Sequence, residues 1–186
     1  MQAEVKHLTT ADLEAGLDEI RNSPKTNSVL DLIVSRPEED VREVMTLADL
    51  DVKVGLVGDT WQDRPSARSG DGNAHPDMQI TLMNSRVAAL IAQDKDRWQL
   101  SGDQLFADLD LSAENVPPGT RIAVGSAILE ATDQPHTGCK KFSARFGVDA
   151  LKLVSSPIGE ELQLRGINLK VVQSGEIKPG DAVKKL

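Results

Sequence analysis

Cysteine is nearly missing from this chain of 186 residues: Cys139 is the only one. A single cysteine excludes an internal disulfide framework and any zinc or iron–sulfur site built from paired cysteines. Tyrosine is absent and aromatics make up 3% of the chain, so base-stacking platforms for nucleic acid are not expected. Basic residues number 21 against 29 acidic ones, a net charge of −8, which argues against nucleic-acid binding in bulk. No apolar run approaches the roughly 18 uncharged residues of a membrane helix, so no membrane partner is expected. Met1 to Lys6 lacks the apolar centre of a signal peptide, which points to the cytoplasm.

What remains is an ordinary globular composition, 39% apolar and 27% charged, long enough for one domain with a real core. Thr9 and Asp12 form a capping box ahead of a helix carrying Leu13, Leu17 and Ile20 on one face. Leu30 to Val34 reads as a strand. Pro37, followed by Glu38, Glu39 and Asp40, predicts a short helix with Val41, Val44 and Met45 as its apolar side, and a further turn from Thr46 to Leu50. Gly55 to Trp61 and Arg64 to Pro76 are loops. Met78 to Leu82 is a strand, after which Asn84 caps a helix carrying Val87, Leu90 and Ile91. Alternation then predicts strands at Gln104–Leu111, Arg121–Glu130, Leu162–Leu164, Leu169–Val172 and Gly180–Val183, with one helix in Val148–Ser156. Short strands with glycine turns at this spacing give a mostly β chain with a few helices (α+β), in a barrel or sandwich.

One window differs from the rest. Gln134 to Gly147 holds Cys139 together with Lys140, Lys141 and Arg145, and no acid lies between Asp133 and Asp149. Local positive charge favours thiolate over thiol and suits a phosphate or another anion. Against this, a lone cysteine is commonly a small buried hydrophobe. His136 is either a proton acceptor for Cys139 or a loop hydrogen-bonder. Trp61 and Trp98 are expected as core anchors. Asp71, Asn73, His75 and Asp77 do not have the spacing of a calcium loop, and a zinc site from His75, His136 and Cys139 would need a coincidence of fold.

These residues carry a resemblance. Leu111-Ser-Ala-Glu-Asn-Val-Pro-Pro-Gly-Thr-Arg-Ile-Ala-Val-Gly125, then Ala127 to Thr132, then the Cys139 window, resemble the MOSC domain, found at the C-terminus of molybdenum cofactor sulfurases and as bacterial stand-alone proteins. Leu164 to Ile167 and Gly175 to Asp181 also fit. The resemblance covers about residues 45–184 and implies a strongly bent, β-barrel-like core over 29–186, with 1–28 as an N-terminal helical extension. It implies that Cys139 either carries sulfur as a persulfide or ligates molybdenum in a bound molybdopterin cofactor, in molybdoenzyme sulfuration or in the reduction of N-hydroxylated compounds. Many relatives have proline directly before the cysteine. Here the preceding pair is Thr137-Gly138.

A soft thiolate suits molybdenum, and one is sufficient if the pterin dithiolene supplies more sulfur. The catalytic candidates are Cys139 and His136, with Cys139 also the metal ligand. For the cofactor's phosphate and pterin edge the candidates are Lys140, Lys141, Arg145, Arg165, Arg86 and Asn115, against the plain alternative of a solvated face. The tail lysines Lys178, Lys184 and Lys185 could frame the same anion. Whether the chain is an enzyme, as a sulfur transferase or as a reductase component, stays open. It has no iron–sulfur cysteines or dinucleotide fingerprint of its own, so reduction would need an electron-transfer partner. Sulfur transfer would need a sulfane-sulfur donor such as a cysteine desulfurase, and pyridoxal phosphate would sit only on that partner. The alternative reading is a non-catalytic binding module for a phosphorylated or anionic ligand. The sequence is compatible with a monomer or a homodimer.

Overall fold

The computed structural model describes residues 6–186. Eleven strands are present among them: β1 (Asn27–Ser35), β2 (Glu43–Met45), β3 (Ala48–Asp51), β4 (Gly55–Leu56), β5 (Ile80–Asn84), β6 (Leu105–Ala107), β7 (Arg121–Val124), β8 (Ala127–Ala131), β9 (Ile167–Gln173), β10 (Gly175–Ile177) and β11 (Ala182–Lys185). The helices are α1 (Thr10–Ala15), α2 (Leu17–Arg21), α3 (Ser85–Ala92), α4 (Lys140–Phe146), α5 (Val148–Val154) and α6 (Pro157–Glu161), with short 3-10 turns between. The fold is mixed α+β around a closed seven-stranded barrel.

Closure depends on β1. It pairs with β11 through Asn27–Val29, with β6 through Leu30–Ile33 and with β2 through Ile33–Ser35. From β6 the ring runs through β5, β9, β8 and β7 back to β11. All its pairings are antiparallel except β5–β6. The register shifts between Leu30 and Leu32. Such a bulge bends the strand and puts Leu30 and Ile33, an odd number of residues apart, on the same face. Both enter the barrel core, while Leu32 and Val34 join a second core under the helices. β6 divides likewise: Leu105 and Ala107 point in, and Phe106 points out to the helices.

The second core gathers Leu13, Leu17 and Ile20 of α1–α2 with Val87 and Ile91 of α3 and Phe142, Phe146 and Leu153 of α4–α5. The Thr9 capping box is formed, with the Thr9 hydroxyl taking the Asp12 N–H and the Asp12 carboxylate taking the Thr9 N–H. Trp61 and Trp98 are both buried.

Four local expectations are overturned. Arg121–Glu130 is not one strand but the hairpin of β7 and β8, which turns at Gly125 with φ 54°. Glu43–Met45 and Ala48–Asp51 are strands, and residues 37–42 form a turn, not a helix. Val34 pairs with Val44, and the exposed edge of β1 outcompetes a helical pattern of only three apolar residues. Leu162–Leu164 is not a strand either; it is the turn that ends α6. Gln163 there has φ 48°, and Leu164 drops into the helical core. The Gln104–Leu111 strand is confined to Leu105–Ala107. β10, which joins β3 and β4 in a small second sheet, had no prediction.

Candidate functional site: a cationic cavity beside Cys139

The ends of several elements meet at one side of the molecule. Arg36 leaves β1, Arg42 precedes β2, and Arg64 follows the 3-10 turn Trp61–Asp63. His136 and Cys139 lie on the connection from β8 to α4, and Arg165 lies just before β9. Together they line a cavity of about 590 Å³.

Cys139 is exposed and is the N-cap residue of α4, its carbonyl accepting the Ser143 N–H. The sequence reading had no helix there. The available signal was the four-residue spacing of Phe142 and Phe146, whose rings pack 5.1 Å apart under the cavity floor. Gly138 passes so close to α5 that a Cβ there would collide with Leu151 Cδ1.

The guanidiniums differ in what holds them. Arg36 is paired with buried Asp59 through Nε (2.8 Å) and Nη2 (2.9 Å), and also reaches the Gly102 carbonyl. Arg165 is paired with Asp103 (2.6 Å) and lies over the Phe142 ring. Arg145 and Lys141 turn toward Asp40, and Lys141 also toward Glu39. Those contacts, led by the Lys141 hydrogen bond, hold the Asp40 carboxyl below its usual range. Arg42 and Arg64 have only a carbonyl and a hydroxyl, Val41 O and Thr60 Oγ1, and no carboxylate among the described residues. Burial first, and then neighbouring guanidiniums, lower the pKa of both. Arg42 Nε and Arg165 Nε are enclosed and unpartnered. Buried cations without partners are costly, and an incoming anion relieves that cost.

Behind the cavity, Asp103 is fully buried. Burial is the largest single influence and raises its carboxyl, but the Arg165 guanidinium and the other lowering contacts, the Ser101 hydrogen bond among them, together outweigh it and keep the carboxyl below the carboxylate norm. His136 Nδ1 stands 3.5 Å from Asp103 Oδ1. Burial, reinforced by Arg165, pushes His136 down to about 3. The ring is therefore neutral, and the contact with Asp103 is not an ion pair.

Of the sequence candidates, Cys139, His136, Lys141, Arg145 and Arg165 line this cavity. Lys140 is exposed and outside its lining. Arg86 lies elsewhere, fully engaged by Asp108 and Glu19 beside α2. Asn115 is also remote and structural: its amide ties the carbonyls of Lys25 and Asp110, and its oxygen takes the Lys185 ammonium. That contact also carries Lys185 away from the cavity. Sequence reasoning missed Arg36, Arg42, Arg64 and Asp103, which lie outside the Cys139 window and are assembled only by barrel closure. No three His, Cys, Asp or Glu side chains among the described residues could hold a metal together, so the His75–His136–Cys139 zinc alternative has no support.

Comparison with known proteins agrees on the fold. No curated protein matches the chain. Among solved structures, the YuaD protein from Bacillus subtilis superposes with a TM-score of 0.64 at 15% identity, covering 86% of this chain and 95% of that one. YiiM from Escherichia coli gives 0.53 at 17%, covering 85% and 69%, and YiiM from Geobacillus stearothermophilus 0.51 at 16%, covering 86% and 73%. No helix among the described residues is long and apolar enough to cross a membrane. Residues 69–184 match the MOSC domain, and the chain belongs to the MOSC domain family.

Proposed function

We propose that the chain binds molybdenum cofactor in the cationic cavity with Cys139 as its protein sulfur ligand, or carries sulfane sulfur on the same thiol. The observation that carries this reading is an exposed, solitary thiol on the rim of a cavity in which Arg42 and Arg64 make no ion pair with a carboxylate among the described residues. The donor set fits such a cofactor. One soft sulfur cannot cage a metal alone, but it completes a site for a metal that arrives with its own dithiolene. Arg42, Arg64 and Arg165 would hold the phosphate through donor-only, fork-shaped groups, and the cavity volume suits a small organic ligand.

The chain's own residues divide the work. Asp59 and Asp103 lock Arg36 and Arg165 in place, so little ordering remains to be done on binding. Phe142 and Phe146 keep water from the floor. When bound, the cofactor would supply the redox chemistry that no side chain here supplies, with electrons from a partner protein. For sulfur transfer, the Cys139 thiolate attacks the outer sulfur of a donor persulfide, R–S–SH. The new bond is Cys139 S–S, the donor S–S bond breaks, and R–S⁻ leaves with the electron pair. A cysteine desulfurase is the kind of donor that chemistry asks for.

A second reading, a binding module for a phosphorylated or anionic ligand, is favoured by Arg42 and Arg64 alone, since neither depends on the thiol. Purification from a host that makes molybdenum cofactor, with metal analysis and pterin fluorescence, separates them. Molybdenum bound to the wild type and lost in Cys139→Ala supports cofactor ligation. No metal but a mass gain of one sulfur atom on Cys139 supports the sulfur carrier. Neither signal, with phosphate binding unchanged in Cys139→Ala, leaves the binding module.

A further inference from the structure

We propose that Asp103 is a positioning residue that holds His136 as a hydrogen-bond acceptor toward the cavity, so that the site selects anions carrying their own O–H or N–H donor. This rests on reading the cavity as an anion site and specifies which anions it takes.

Asp103 uses one oxygen fully: Oδ2 accepts from Arg165 Nη1 at 2.6 Å and from Ser101 Oγ at 2.7 Å. Its Oδ1 has no hydrogen-bond partner, and neither has His136 Nδ1, 3.5 Å away; both atoms are enclosed. Two facing orphans admit one satisfactory arrangement. With the proton on Nδ1, a donor meets an acceptor, and a shift of a few tenths of an ångström completes the bond. With the proton on Nε2, two lone pairs would face each other in a place water cannot reach, and both groups would pay full desolvation. Gly166, at φ 96°, keeps this corner open: a Cβ there would lie 2.5 Å from Leu82 O and 3.4 Å from His136 Nδ1. The neutral ring therefore turns an unprotonated Nε2 outward. Nε2 is not among the enclosed, unpartnered atoms, and His136 lines both the cationic cavity and the neighbouring pocket beside Gly166.

Apart from the hydroxyls of Thr60, Ser101 and Thr137, the cavity's polar lining is mostly charged. Arg36, Arg42, Arg64 and Arg165 can only donate. The acceptors at the mouth, Glu39, Asp40 and Asp63, are exposed carboxylates that repel an anion. His136 Nε2 is an acceptor without that repulsion. An anion with every oxygen deprotonated leaves it unpaired; an anion with one O–H or an adjacent N–H satisfies it. The discrimination follows from matching a donor on the anion to the Nε2 lone pair, which repels a deprotonated oxygen, rather than from shape.

Hydrogen phosphate and sulfate make the test, because in mildly alkaline buffer both are dianions and only phosphate keeps an O–H. Titration calorimetry is expected to give phosphate about tenfold tighter binding than sulfate, the effect of one well-made hydrogen bond. Asp103→Asn keeps an oxygen for Arg165 and Ser101 but turns an NH₂ toward Nδ1, so the imidazole proton moves to Nε2. The phosphate preference should fall to unity or reverse. Nitrogen-15 NMR of the three histidines reads the tautomer directly in the wild type, so a variant that fails to fold leaves the proposal testable. A pyridine-type signal at His136 Nε2 and a pyrrole-type signal at Nδ1 are expected. The reverse pattern, or equal affinity for the two anions, overturns it. Metal analysis and the mass of Cys139 read the thiol chemistry, whereas the tautomer and the phosphate-to-sulfate ratio read this proposal, so the two failures appear in different measurements.

Discussion

At the scale of single residues, the cavity is a balance between arginines that are anchored and arginines that are not. Arg36 and Arg165 have buried carboxylates behind them, whereas Arg42 and Arg64 face one another's charge. Replacing either unanchored side chain, as in Arg42→Gln or Arg64→Gln, should weaken phosphate binding by about tenfold, the loss of a charge-assisted bond. The free protein should lose no stability, because a repulsion goes with it. A calorimetric titration and a thermal melt of each variant check both halves, and a melt that drops by several degrees would mean the guanidinium is structural. His136 gives a pH signature. Folded, it stays neutral down to about pH 3; unfolded, it titrates near 6.5. Between those values the unfolded chain binds the extra proton, so stability falls as the pH falls. The slope is up to about 1.4 kcal/mol per pH unit, and it levels off below the folded pKa. Carboxylates titrate in the same range, so the measurement is a difference. Denaturant unfolding from pH 7 to pH 4 should lose stability less steeply in His136→Asn than in the wild type, and parallel curves would refute the assignment.

Elements were legible where a cap or a long alternation specified them, and illegible where an edge or a turn decided. The Thr9 box and the Asn84 cap state their helices outright, because a side chain satisfies an orphan N–H only at a helix start. The stretch Val41–Met45 was read with the wrong period because its fate depends on β1, whose open edge is invisible to local reasoning. Helix α4 was missed because its two phenylalanines span barely more than one turn, yet it is the element that presents Cys139. Its seat depends on Gly138. Gly138→Ala drives a methyl against the flexible end of the Leu151 side chain, which can turn aside, so the overpacking costs about 1 kcal/mol. Gly138→Ala should lower stability by that amount, and the pair Gly138→Ala with Leu151→Ala should recover part of it, since the second change clears the space. Urea denaturation of the pair and of each single variant, Leu151→Ala included, measures the coupling. Strictly additive losses would show that the strand-to-helix connection simply moves aside.

The whole molecule is a barrel closed by its C-terminal strand, and the candidate site depends on that closure. The sequence showed short strands and glycine turns, enough for a barrel class, and the Cys139 window, enough for half the cavity wall. It could not show that Arg36, Arg42 and Arg64, far upstream in the chain, come to face that window. Their placement follows from β1 pairing with β11, β6 and β2 along successive thirds of its length. β11 is held by Val183, which is buried in the barrel core and pairs with Ser28 on one side and Val124 on the other. Removing methyls there tests how far site and barrel are one cooperative unit. Val183→Ala should cost about 1–3 kcal/mol while leaving phosphate affinity intact in the folded fraction, because the cavity's arginines remain anchored by Asp59 and Asp103. Placing a charge there, as in Val183→Asp, buries an unpaired carboxylate between two strands and should open the β1–β11 seam. Arg36 follows directly from β1, so loss of the seam should release it from Asp59 and abolish anion binding and cooperative unfolding together. Phosphate titration beside a denaturation curve reads both. Binding that survives in a Val183→Asp protein without a cooperative transition would mean that the cavity is built by α4 and its neighbours alone, independently of barrel closure.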